Sequence, residues 1–116
     1  MARREAAFRD ERVDDMMGEI DGYLAKLDGA EAVMTRDMLR TFCWYTVKVD
    51  DLMDAIETEG IIIDTPNGPK ANPANTVLHQ YSQRKADYYQ KCLRSLSHAG
   101  AEAVDKLAEF CAGPRA

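Results

Sequence analysis

Apolar positions recur every three or four residues along most of this chain, which is the period of a helix with one buried face. Val13, Met16, Ile20, Tyr23 and Leu27, widened by Met17 and Leu24, predict a first helix over residues 4–27, with Asp28-Gly29 ending it. Thr35 suits an N-cap, Asp37 suits the first turn after it, and Gly60 suits a stop, so a second helix is predicted over 35–59. Its seam, Met38, Phe42, Tyr45, Val49, Leu52 and Ile56, is unbroken and flanked by Leu39, Thr46 and Met53, so the face is wide enough for two neighbours. Val77, Leu78, Tyr81, Tyr88, Cys92 and Leu96 mark a third helix over 73–96, polar on nearly every side between Ser82 and Asp87. Ala101, Val104, Leu107 and Phe110 mark a short last helix over 101–111, after a break at Gly100.

Between helices two and three the period changes. Ile61, Ile62 and Ile63 are β-branched and favour an extended backbone. Pro66-Asn67-Gly68 supplies a turn, and Pro69, which has no N–H to give a ladder, keeps the returning strand short and at an edge. Asn72 as N-cap and Pro73 at the first helical position then open helix three. The expected fold is mainly α: a helical hairpin plus a further long helix in a single domain, 1–116, with one β-hairpin over 61–71. A lone hairpin is marginal in water and its edges are templates for another chain. Ile61, Ile62 and Ile63 are therefore candidate oligomer contacts. Trp44, off the main seam, is either a packing residue for a second face or an interface anchor.

Composition narrows the class without naming a function. With 116 residues, 46% apolar and 30% charged, this is an ordinary foldable domain. No apolar run approaches a membrane span, and no signal-peptide pattern follows Met1. Three scattered cysteines, Cys43, Cys92 and Cys111, suit a reducing cytosol better than a disulfide framework or a zinc site. The net charge of −5 is unevenly spread. Residues 1–65 carry 8 Lys/Arg against 16 Asp/Glu, while residues 66–98 carry 5 Lys/Arg against one Asp. An acidic total disfavours nucleic-acid binding, but the basic third around helix three keeps it open. Arg3, Arg4, Arg9 and Arg12 read as a solvated, ion-paired face or as a short basic arm.

The sharpest chemical motif is D-D-L-M-D, in which Asp50 and Asp54 share a helix face beside Asp51. Such clusters hold Mg²⁺ on diphosphates in the much longer prenyl-diphosphate synthases, and Glu57 and Glu59 extend the strip toward what a small nucleotide pyrophosphohydrolase would need. Glu19 and Asp21 are the available facing carboxylates. A solvated acidic face is the simpler reading. His79 and His98 stand alone, and there is no phosphate loop, zinc spacing or nucleophile relay. No catalytic residue, metal or cofactor is expected.

The order of the features resembles the phage terminase small-subunit family. The resemblance runs from M-T-R-D-M-L-R-T-F-C-W-Y through E-G-I-I-I-D-T-P-N-G-P-K-A-N-P-A-N-T-V to L-R-S-L, Met34 to Leu96. Thr35, Gly60, Pro66, Gly68, Asn72 and Pro73 carry it. Asp37 falls one residue early for the family's Thr-x-x-Asp. The family's Arg/Pro-rich arm is reduced to Arg3 and Arg4, and its L-G-L-T-P ending is replaced by L-S-H-A-G. The resemblance implies a non-catalytic homo-oligomer, a ring, that recognises double-stranded viral DNA and delivers it to a large ATPase–nuclease subunit in the bacterial host cytoplasm. On that reading Arg84, Lys85, Lys91 and Arg94 are the expected phosphate contacts, with Arg3 and Arg4 secondary. A helical adaptor outside packaging is the alternative.

Overall fold

The computed structural model describes residues 10–111, and the helical periods of the sequence appear in it as four helices. α1 spans Glu11–Leu24, α2 Gly29–Glu59, α3 Ala74–Leu96 and α4 Ala101–Phe110, with a 3₁₀ turn at Ser97–Ala99 before α4. β1, Ile62–Thr65, and β2, Gly68–Ala71, form an antiparallel hairpin between α2 and α3. The all-helical expectation with one hairpin holds.

Two boundaries differ by more than a residue, the end of α1 and the start of α2. α1 ends at Leu24, not Leu27, and the proposed start at residue 4 lies outside the described residues. Asp28 does not close α1. It caps α2, its carboxylate accepting from Glu31 N–H at 2.8 Å. Thr35 is therefore no cap: it sits a turn and a half inside α2, fully buried, its hydroxyl without a partner among the described residues. An aspartate one residue before a helix outcompetes a threonine further on because α2 gains two turns of backbone bonds by starting early.

α1 and α3 both run antiparallel to α2, on different faces of it. Phe42 meets Tyr89 at 6.0 Å and Tyr45 meets Tyr81 at 5.3 Å, so the seam faces α3. The deeper line is one step round: Leu39, Cys43 and Val47 are completely buried. They join Val13, Met16, Met17, Ile20 and Leu24 of α1, Cys92 and Leu96 of α3, and Ala103, Leu107 and Phe110 of α4 in one core.

That core occupies only one end of the molecule. α2 has 31 residues against 14 in α1, lengths of about 46 and 21 Å at 1.5 Å per residue. Beyond Val49, α2 has no fully buried residue, and α3 has none before Cys92. The two helices continue as an arm with Leu52, Ile56, Val77 and Leu78 half-buried between them and Met53 47% exposed. The radius of gyration is 16.4 Å, against about 13 Å for a compact chain of this length.

Candidate nucleic-acid and assembly surfaces

Each residue turns a helix by about 100°. Arg84 and Lys91 thus share one line of α3, and Arg94 lies about 80° round from Arg84, all three exposed. The stripe runs about 15 Å along the helix. Among the described residues Arg84 and Arg94 make no ion pair, and Lys91 Nζ stands 4.8 Å above the Tyr88 ring, a cation–π contact that steadies it. Asp87, exposed on the same face, reduces the stripe to a net +2.

Lys85 does not belong to this stripe. It projects from the apolar side of α3, and its ammonium donates to the Cys111 carbonyl at 3.0 Å, at the end of α4. A cation at a helix C-terminus satisfies an orphan carbonyl and complements the dipole. Its expected phosphate contact is better described as a tie between α3 and α4. Arg3 and Arg4 lie outside the described residues.

Trp44 is half-buried in an aromatic cluster at the root of the arm. Its ring lies 5.2 Å from Tyr45 and 5.6 Å from Tyr81, Tyr45 stacks on Tyr88 at 6.0 Å, and Lys48 Nζ is 5.7 Å from the Trp44 centroid. Of its two sequence readings, packing is the one these contacts describe.

At the tip of the arm, Gly60 adopts φ 93°, where a Cβ would meet Ile62 O at 3.3 Å, so glycine is needed to turn α2 into β1. The turn itself takes positive φ only at Gly68, not at Asn67, and Thr65 Oγ1 braces it by donating to Gly68 O at 2.6 Å. Asn72 fastens the base. Only 3% exposed, it donates from Nδ2 to Gly60 O at 2.9 Å and accepts at Oδ1 from Ala74 N–H at 3.0 Å, while its backbone N–H reaches Ile61 O at 2.7 Å. Asn75 Nδ2 adds a second bond to Ile61 O. Asn72 is the capping side chain expected, and it also ties hairpin to helix. The hairpin otherwise packs on itself and touches the helices little. Ile61 and Ile62 are each 66% exposed, and Ile63 is half-buried.

The acidic motif is drawn into structural pairing. Arg12 grips Asp51 with two bonds of 2.6 and 2.9 Å and Asp10 with two more, and Lys48 approaches both carboxylates. The Arg12 hydrogen bonds hold Asp10 down to about 2 and lower Asp51 as well. The proposed facing carboxylates have their own cations: Asp21 Oδ1 lies 3.3 Å from Arg36 Nε, a poorly aligned ion pair, and Glu19 lies 3.9 Å from Lys106. Among the described residues no trio of His, Cys, Asp or Glu is arranged to hold a metal. His98 bonds Glu31 at 2.6 Å, joining the 3₁₀ turn to the start of α2, and His79 is exposed. Cys43 and Cys92 are core residues whose thiols burial pushes up to about 12.

No protein-family model, curated protein or solved structure matches the chain. Among the described residues no helix is long and apolar enough to cross a membrane. Of the two readings of Arg12, the ion-paired face is the one its contacts describe; sequence reasoning missed its clamp on Asp51 across to α2, and the Lys85 tie. The first had a faint signal in Asp10, two residues before an arginine at a helix start. The second had one in a lysine placed on an apolar stripe.

Proposed function

We propose that this chain is a non-catalytic, homo-oligomeric DNA-packaging protein of the terminase small-subunit type, handing double-stranded DNA to a large ATPase–nuclease partner. The observation that carries the reading is the long α2–α3 arm, half-covered along its length and tipped by a hairpin with exposed isoleucines. A monomer gains little from such an arm, whereas an assembly covers it with neighbouring copies. The ordered resemblance between Met34 and Leu96 supplies the type of assembly. The Arg84, Lys91 and Arg94 stripe supplies the phosphate contacts; at net +2 it is weak alone and is strengthened by repetition around an oligomer.

The test is duplex-DNA binding by fluorescence anisotropy across a salt series, with purified protein whose mass is fixed by light scattering. Arg84→Glu with Lys91→Glu should abolish binding or flatten the salt dependence, since each phosphate neutralised contributes about 0.9 to the slope. An oligomer that binds DNA equally well, with the same slope, after both reversals overturns the contact assignment. A wild-type protein that stays monomeric with DNA and a large subunit present overturns the packaging reading.

A further inference from the structure

The two edges of the hairpin are chemically unequal, and the difference dictates how it can pair. The register sets Ile62 opposite Ala71, Ile63 opposite Lys70, Asp64 opposite Pro69 and Thr65 opposite Gly68. Asn72 N–H bonds Ile61 O, and bonded pairs alternate along an antiparallel ladder. Ile61, Ile63 and Thr65 therefore turn their backbone groups inward to β2. Ile62 and Asp64 turn theirs outward on β1, and Pro69 and Ala71 turn theirs outward on β2.

The outer edge of β2 thus has a proline where it would need a donor. That blunts it, as edge prolines do. The outer edge of β1 keeps both groups of Ile62 and has Ile61 and Ile62 exposed beside it; the sheet has only two strands, so no described residue extends it.

We infer that β1 is a self-pairing edge, whose occupant is β1 of a second copy, antiparallel and centred on Ile62. Resting on the homo-oligomer reading above, this deepens it by fixing one contact and its symmetry. A head-to-tail sheet, β1 to the partner's β2, would meet the Pro69 edge and lose a bond. Pairing β1 with β1 meets no proline, and its unmade bond falls at the ends of the ladder, where Gly60 opposite Asp64 keeps its N–H on Ile56 O. Centred on Ile62, it lets the two Ile62 backbones exchange both bonds and sets Ile61 against the partner's Ile63 on each side. It also keeps the two Asp64 carboxylates off one another, which a register centred on Asp64 would oppose directly. Such a contact is isologous, so it closes on two copies. The exposed isoleucines of both hairpins bring roughly 500 Å² to it, below the about 1,200 Å² of a stable interface. It therefore works together with contacts along the arms, joining copies in pairs within a larger assembly.

The experiment is light scattering over a concentration series for the wild type, Ile62→Lys and Lys70→Glu, with hydrogen exchange read at the Ile62 and Asp64 amides. Ile62 is exposed in the single chain, so a lysine there leaves the fold intact, which circular dichroism checks. An even-numbered wild-type assembly, halved by Ile62→Lys and unmoved by Lys70→Glu, with both amides protected in proportion to assembly, is the expected result. An assembly that keeps its mass in Ile62→Lys, or leaves those amides exchanging freely, overturns the edge pairing and leaves the homo-oligomer standing. A wild type monomeric at every concentration, alone and with duplex DNA and a large subunit present, overturns both.

Discussion

Asn72 is the position where one substitution separates the hairpin from the helices, and its cost follows from its bonds. Removing the side chain in Asn72→Ala takes away the acceptor for Ala74 N–H and the donor to Gly60 O. Loss of an N-cap costs about 1 kcal/mol, and stranding a partly buried carbonyl costs about 1 kcal/mol more. The hairpin stands off the core, so these 2 kcal/mol appear first as local opening, not as global unfolding. Native-state hydrogen exchange should therefore quicken about 30-fold at the amides of Ile63, Lys70 and residue 72, and hardly at all in the core of α2. Asn72→Ser divides the effect. Serine keeps an acceptor for the cap but is too short to reach Gly60 O, so the expected acceleration is about 5-fold. If the two variants exchange alike, the cap contributes nothing. If neither exceeds 2-fold, the whole account of how the hairpin is fastened is wrong.

Thr35 lies fully buried with a hydroxyl unpartnered among the described residues, so Thr35→Val should stabilise by about 1 kcal/mol and raise Tm by roughly 4 °C, read in a thermal melt; a lower Tm would mean the hydroxyl has a bond. The Asp10 and Asp51 carboxyls have depressed native values, so the stability they provide is present above the ordinary carboxylate range and is lost as pH falls from about 5 toward 2. Arg12 and Asp51 are each 41% exposed at the side chain, which screens their pairing to about 1 kcal/mol. Urea midpoints at pH 6, 4 and 3 should fall less steeply in Arg12→Met than in the wild type, and equal slopes would refute the clamp.

The elements with a full period and a clear terminator were legible in the sequence. Gly60, the isoleucine run, the proline turn and Asn72 placed the hairpin to within a residue, because each position demands a particular backbone geometry. Thr35 misled because local cap preference says nothing about how far a helix can grow backward when Asp28 offers a cap of its own. The depth of burial along α2 was not legible either: the period reports which face is apolar, not how far α1 and α4 extend to cover it. For the same reason, Met53 and Leu52 read like core yet lie along the open arm. The charges of the candidate site were partly legible. Arg84, Lys91 and Arg94 are exposed as their spacing suggests, whereas the destination of Lys85 depends on where α4 ends, which no local pattern encodes.

The hairpin and the basic stripe are set apart along α3: about 15 Å of helix from Ala74 to Arg84 and about 30 Å to Arg94. Pairing through β1 therefore leaves the stripes free, and DNA affinity should depend on assembly as much as on charge. Ile62→Lys tests this because it moves the two effects in opposite directions. It adds a cation to the protein, which by itself raises affinity for phosphate. It also places two lysines against each other across the two-fold pairing, which removes copies from the assembly and with them the multiplied contact. If assembly governs binding, duplex affinity falls at least 10-fold despite the added charge, and the salt slope decreases with it. Affinity that holds or rises in Ile62→Lys, in a protein whose assembly is reduced, would mean that single stripes bind DNA independently.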